Sequence, residues 1–259
     1  MAETARIHWF DEVDSTNTQL LAARGSLPSG TVFAALFQRA GKGQRGNRWE
    51  SRSGENLTFS YLFKPAALPA AAQFSLSQAA ALGVAGYLAE KGVSTAIKWP
   101  NDILVGGRKI CGMLLEHTLS ADKLADSVIG IGINLNQRDF GSGAPNAVSL
   151  CAETGQNYDP QSELPLVVAQ LEKYLARTAS EAGRNALAEA YLARLYRMGE
   201  WHTYLDRREA DPLLPTTRAV EGVRFEGCIR GISPEGLLRM ERRDGALLEF
   251  AFKEIAYIL

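Results

Sequence analysis

The 259 residues are 46% hydrophobic and 22% charged, with 28 basic and 29 acidic side chains and a net charge of −1. That balance excludes a disordered or fibrous chain and leaves no overall field for a long polyanion, so any basic site is local. The length leads us to expect one large domain plus a small one, or two comparable ones.

Three cysteines, Cys111, Cys151 and Cys228, lie far apart without a CxxC pair, and the histidines are only His8, His117 and His202. A disulfide framework or a structural zinc site does not fit that spacing. The N-terminus MAETARIHWFDEVDSTN lacks a basic segment followed by an apolar run, and no stretch reaches the ~18 apolar residues of a membrane span. The expectation is a cytoplasmic protein with no membrane partner.

RIHWFDEV reads as a strand, after which Ser15 or Thr16 can cap a helix over NTQLLAARG that Gly25 stops. GTVFAALFQ is β-rich and runs into a loop, QRAGKGQRGNRWES, and NLTFSYLF then alternates as a half-buried strand does. AAQFSLSQAAALGVAGYLAEKG, rich in Ala and Leu, predicts a long buried helix ended by Gly92. TAIKWP, DILV, KICGMLLEHTL and DSVIGIGINLN follow as strands, with PND and GGR as turns. Two amphipathic helices, LPLVVAQLEKYLART and NALAEAYLARLYR, come next. From WHTYLD onward, VRFEGCIRGI, LLRMER and LLEFAFKEIAYIL predict a small all-β unit, and READPLLPTTRAVEG reads as a long hairpin loop. Two domains, 1–199 and 200–259, are expected.

Four short segments carry chemistry. In GKGQRGNRW, Gly41, Gly43 and Gly46 let the backbone approach a ligand while Lys42, Arg45 and Arg48 supply charge, a combination suited to phosphate. A solvated basic turn fits the loop alone equally well. No GKS or GKT follows, and a strand rather than a helix comes next, which argues against a P-loop or a dinucleotide fold. Trp49 offers an indole face for stacking a base. KWPNDILV and GGRKICGMLLE bring Lys98, Asn101, Asp102 and Lys109 near turns, where Asn101 and Asp102 are also ordinary turn residues. Gly130 and Gly132 inside GIGINLN indicate a bulge, or the close approach of a ligand or another backbone, and Asn134 adds an amide. In DSTN, one of Ser15, Thr16 and Asn17 caps a helix and the remaining polar groups can orient a ligand.

In this order, DSTN, a GRGRRGR.W-type loop preceded by Gln38, KWPND followed by RK..G, and G.GIN.N resemble the biotin protein ligase family, most closely from Val13 to Asn136. The C-terminal β unit is similar in pattern to that family's SH3-like domain. The resemblance implies an α/β (α+β) fold with a mixed central sheet and flanking helices, related to class II aminoacyl-tRNA synthetases and lipoate ligases, followed by a small C-terminal SH3-like β-barrel. It implies ATP, Mg²⁺ and biotin as ligands, a biotin carboxyl carrier protein as partner, no nucleic-acid partner, and a monomer or homodimer. Biotin's carboxylate would attack the α-phosphate of ATP to give biotinyl-5′-AMP, and a lysine of the carrier would then take the biotinyl group.

By the same resemblance Ser15, Thr16, Asn17 and Gln38 would bond the ureido ring, with backbone from Gly130 and Gly132 alongside. Lys109 would pair with biotin's carboxylate and then the adenylate phosphate. Lys42 would close over the acyl-phosphate within a loop that also contributes Gly41, Gly43, Gln44, Arg45 and Arg48, and Lys98 would sit near the phosphates. Trp49, Asn101 and Asn134 would hold the adenosine, and Asp102 would orient the incoming lysine or Mg²⁺. No side chains are singled out as metal ligands. Lys42, Gln44 and Asn47 stand where arginines are common in the family, so this loop carries less charge; Gln44 can donate an amide hydrogen bond but cannot neutralise a phosphate.

Cys111, inside ICGMLL with no histidine at a telling spacing, reads as a buried strand residue rather than a nucleophile. A lipoate or octanoate transferase is the nearest rival enzyme, but its RR.GGG signature is missing. A biotin-responsive DNA-binding regulator would need an N-terminal helix-turn-helix, for which a chain starting at the strand before DSTN is expected to leave no room.

Overall fold

The structure, a computed structural model, describes residues 6–44, 48–141, 143–208 and 222–258. The chain divides into two compact units, Met1–Tyr191 and Leu192–Leu259.

The first unit is built on strands β1 (Arg6–Val13), β2 (Thr31–Gln38), β3 (Leu57–Phe63), β4 (Ala96–Lys98), β5 (Asp102–Val105), β6 (Arg108–Ser120) and β7 (Lys123–Ile133). They form one mixed sheet in the order β1-β2-β3-β7-β6-β5-β4. Only β1 and β2 run parallel; every other neighbouring pair is antiparallel. Strand β3 lies centrally and is buried on both faces, not half-buried as its alternation suggests. The Tyr61 hydroxyl donates to Glu172 at 3.1 Å from one side, and Leu62 packs with Leu20 and Val128 on the other.

Helix α1 (Thr16–Ala23) is capped by Ser15, whose side chain accepts from the Thr18 amide. It does not stop at Gly25 but tightens into a 3₁₀ turn over Arg24–Ser26, as helix ends often do. Helix α2 (Phe74–Glu90) is buried along most of its length and ends ahead of Gly92, whose φ of +79° suits glycine. A short helix, α3 (Leu150–Thr154), was not foreseen. Helix α4 (Pro160–Leu175) starts from the Asp159 cap with proline in its first turn. It crosses α2 so closely that a Cβ on Gly83 would stand 2.9 Å from the Leu171 Cα. The Tyr87 hydroxyl and the Lys91 ammonium both donate to Glu163, at 2.8 and 2.7 Å, so this buried carboxylate is satisfied where the helices meet. Helix α5 covers Glu181–Leu192.

The second unit holds β8 (Trp201–Asp206), β9 (Val223–Ile232), β10 (Leu238–Arg242), β11 (Leu247–Phe250) and β12 (Ile255–Tyr257). The run LLEFAFKEIAYIL thus divides into two strands. The sheet order is β11-β10-β9-β8-β12, with β11 and β12 at opposite edges. The expected barrel is therefore corrected: among the described residues this is an open antiparallel sheet, and its edge strands, four and three residues long, do not pair. Tyr204, Cys228, Ile229, Leu238, Met240 and Phe250 are fully buried in its core. Most of the READPLLPTTRAVEG segment, residues 209–221, lies outside the described residues. No helix among them is long and apolar enough to cross a membrane.

Candidate active site

The sheet register aligns Thr58, Gly132, Gly112, Asp102 and Lys98 across β3, β7, β6, β5 and β4. Directly opposed residues project to the same face, so this row forms a floor. Ser60, Gly130 and Leu114 form the next row.

The glycines of this floor accommodate the protein's own side chains. A Cβ on Gly130 would stand 2.1 Å from Asn17 Oδ1, and one on Gly132 would stand 2.4 Å from Trp49 Cε2. On Gly112 it would meet the tip of Lys109 at 3.0 Å and Trp49 Cζ3 at 3.2 Å. The close approach anticipated at Gly130 and Gly132 is thus made by Asn17 and by the indole of Trp49, which lie against bare backbone. The Trp49 Nε1 is buried with no hydrogen-bond partner among the described residues.

Lys109 reaches this face because of a bulge. Asp102 opposes Gly112 and Ile103 opposes Cys111, but Leu104 then opposes Lys109, leaving Ile110 as the extra residue. In an unbroken ladder Lys109 would point to the opposite face. Its ammonium instead pairs with Asp102 at 2.7 Å and lies 6.0 Å from the Trp49 ring centre. The turn that precedes it has positive φ at Gly106 and Gly107, +55° and +79°, as a tight hairpin turn requires.

Asn134 and Asn101 have backbone duties. The Asn134 amide donates to the carbonyls of Lys109 and Val148 at 3.4 and 3.0 Å, and its backbone N–H donates to Ile110, so it clamps the bulge. The Asn101 amide donates to the Met113 carbonyl and the Met113 N–H returns to the Asn101 carbonyl. Both amides expected at the adenosine thus use their Nδ2 groups to shape the hairpin that aims Lys109.

At the other end, Ser15, Thr16 and Asn17 are only 2, 3 and 4% exposed. Gln38 Oε1 accepts from the Thr16 backbone N–H at 2.8 Å and lies 3.2 Å from its hydroxyl. The Ser60 hydroxyl lies 2.7 Å from the Thr16 hydroxyl and also contacts Asn17 Oδ1. Asn17 Nδ2 donates to Glu116 at 2.9 Å and to the Leu114 carbonyl at 3.3 Å.

The glycine loop closes as a small hairpin: Lys42 and Arg48 form an isolated antiparallel bridge, and the Trp49 N–H donates to the Gly41 carbonyl at 3.0 Å. A Cβ on Gly41 would stand 2.3 Å from the Trp49 carbonyl oxygen, which explains glycine there. Gly43 and Gln44 follow in the described part, whereas Arg45, Gly46 and Asn47 lie outside it. A pocket beside the loop is lined by Gln38, Gly41, Arg48, Trp49, Glu50 and Ser51 among others.

Ser60, Glu116 and Gly112 join the site without having been singled out from sequence. Their signal was present: Thr58 and Ser60 are polar alternates in an apolar strand, and Gly112, Leu114 and Glu116 follow with period two. Cys111, one residue from Gly112, faces the other way and is fully buried, and burial pushes its thiol far above the usual range. Among the described residues no cluster of three His, Cys, Asp or Glu side chains forms a metal cage.

Known proteins are similar to this chain in sequence and fold. Residues 9–134 match the model of the biotin/lipoate A/B protein ligase family. The chain is 33% identical to the biotin–[acetyl-CoA-carboxylase] ligase of Paracoccus denitrificans, covering 87% of this chain and 90% of that protein. It is 31% identical to the bifunctional ligase/repressor BirA of Escherichia coli K12, over 94% of this chain and 71% of that protein. The fold superposes on the Aquifex aeolicus biotin protein ligase solved with biotin and ATP, with a TM-score of 0.73, 27% identity and 97% of each chain covered. The chain belongs to the biotin protein ligase family.

Proposed function

We infer that this protein is a biotin protein ligase: it joins biotin to the α-phosphate of ATP as biotinyl-5′-AMP and passes the biotinyl group to a lysine of a biotin carboxyl carrier protein. The observation that carries the reading is the bulge-aimed Lys109, paired with Asp102 at 2.7 Å on the floor that ends at Thr16, Asn17 and Gln38. One end suits a neutral ring bearing N–H and C=O groups, the other suits negative charge, as a ureido acid joined to a phosphate requires. The A. aeolicus relative solved with both biotin and ATP supports this assignment. The relatives named above are biotin ligases, which disfavours lipoate or octanoate as the substrate.

Adenylation needs no nucleophile from the protein, because the substrate carboxylate attacks phosphorus and pyrophosphate leaves. Positioning and charge neutralisation therefore dominate. Lys109 would neutralise first the carboxylate and then the phosphate oxygen bonded to the acyl group, with Lys42, Arg45, Arg48 and Lys98 lowering repulsion from the triphosphate. When the phosphate draws Lys109 towards it, Asp102 becomes available to accept a proton from the attacking carrier lysine; the lysine nitrogen then bonds the acyl carbon and AMP departs. Mg²⁺ commonly relies on one or two carboxylates, phosphate oxygens and water, and Asp102 is the carboxylate placed to join such a shell. The units Met1–Tyr191 and Leu192–Leu259, close to the domains 1–199 and 200–259 expected from sequence, would serve as catalytic and accessory domains in a cytoplasmic protein. Release of pyrophosphate from ATP on addition of biotin alone tests the first half-reaction, and its absence would refute the assignment.

A further inference from the structure

Glu116 lies on β6 two residues beyond Leu114, on the floor side of the sheet, and its carboxylate accepts from Asn17 Nδ2 at 2.9 Å. Following the protons outward from it gives a direction to the whole polar end. An ionised carboxylate and a carbonyl are acceptors only, so Glu116 and the Leu114 carbonyl together fix the Asn17 amide with its nitrogen towards them. Asn17 Oδ1 is thereby turned towards Ser60 and must accept the Ser60 hydroxyl proton. Ser60 has one proton, so at its 2.7 Å contact with Thr16 it is the acceptor and Thr16 the donor. The outward lone pairs of Thr16 are left to accept. Gln38 Oε1 is engaged by the Thr16 backbone N–H at 2.8 Å, which leaves Gln38 Nε2 as a donor. An acceptor beside a donor is the complement of an N–H beside a C=O.

We propose that Glu116 is a positioning residue for ligand recognition: through Asn17 and Ser60 it sets the direction of this hydrogen-bond chain, so that Thr16 presents an acceptor to a ureido N–H. The inference rests on the biotin reading above and adds a residue that touches no ligand. Gly130 belongs to the same device, since a Cβ there would displace Asn17 from its place between Glu116 and Ser60.

The test measures dissociation constants of biotin and of its two ureido N-monomethyl derivatives by titration calorimetry, on the native protein and on Glu116→Leu, Glu116→Gln and Ser60→Ala. Glu116→Leu is expected to weaken biotin about fivefold, the value of one ordinary hydrogen bond, while leaving the KM for ATP unchanged. One methylated derivative, already weak on the native protein, should lose little more in the variant. Glu116→Gln should restore biotin binding, because its amide oxygen can accept from Asn17. Equal losses for biotin and both derivatives would reveal a merely structural role and overturn the proposal, as would unchanged biotin binding. If Glu116→Leu does not fold, Ser60→Ala cuts the same chain and must show the same selective loss; native-like binding there also overturns it. Failure of the native protein to bind biotin would instead bring down the functional assignment itself.

Discussion

The two ends of the site are held in different ways. At the Thr16 end the protein bonds itself into a chain, Gln38 to Thr16 to Ser60 to Asn17 to Glu116, whose middle three residues are buried and whose two ends are half-buried. At the Lys109 end the ammonium is held by Asp102 beside an indole whose N–H has no partner among the described residues, while Lys42 and Arg48 are bridged through their backbones. A cation held by a single carboxylate can be drawn to a second anion that arrives beside it. The first end is already bonded together by the protein, and on the reading proposed above the second would be completed by the ligand. Recognition of a neutral ring demands fixed donors and acceptors, whereas charge that develops during a reaction demands groups kept in reserve.

The contrast is most easily broken at Lys109. Lys109→Ala should lower the rate of biotin-dependent pyrophosphate release by on the order of 10²–10³-fold, the usual cost of losing one group that stabilises developing charge. Calorimetry should show a smaller change in biotin affinity, because the ureido end is untouched. Gly132→Val should come next. Its side chain would claim the place of the Trp49 indole, and overpacking of that kind costs about 1–3 kcal/mol. Tryptophan fluorescence should shift and adenylate retention should fall, with Gly130→Ala giving instead a loss of biotin affinity through Asn17.

Gln44→Arg sharpens the contrast from the other side. Adding charge to the loop should lengthen adenylate retention about twofold to fivefold, the range of an exposed charge pair, and filter-binding chase experiments would measure it. A change under twofold would show that charge does not limit the loop. The smallest effect is expected at Cys111. Cys111→Ala should leave activity within about twofold and cost roughly 1 kcal/mol of stability on thermal unfolding, because the thiol is a buried packing group.

Much of this was readable from residue order. Apolar, β-rich runs bounded by turn residues located every strand of the first sheet, and Gly92 and Ser15 marked helix ends through their backbone and capping chemistry. What sequence could not convey was which face, and which partner. Gly130 and Gly132 announced that something approaches closely, yet only the register shows that Asn17 and Trp49 fill the gaps. Asn101 and Asn134 look like ligand amides because carboxamides are versatile, and only the fold reveals that they also bond two carbonyls of β6. Barrel closure likewise depends on pairing at the edges, about which short strands say nothing in sequence.

The extra residue at Ile110 has one more consequence. Whether Lys109 serves the floor or the helix-covered face depends on whether the number of residues between it and Gly112 is odd or even relative to the partner strand. Inserting one residue between Ile103 and Leu104 would give Ile110 a partner, keep every side chain of the site present and yet turn the ammonium into the apolar layer, whereas deleting Ile110 would leave it on the floor. The placement of this cation is thus specified by arithmetic as much as by identity: in this hairpin, length decides which face a side chain serves, which a comparison of substitutions alone would overlook.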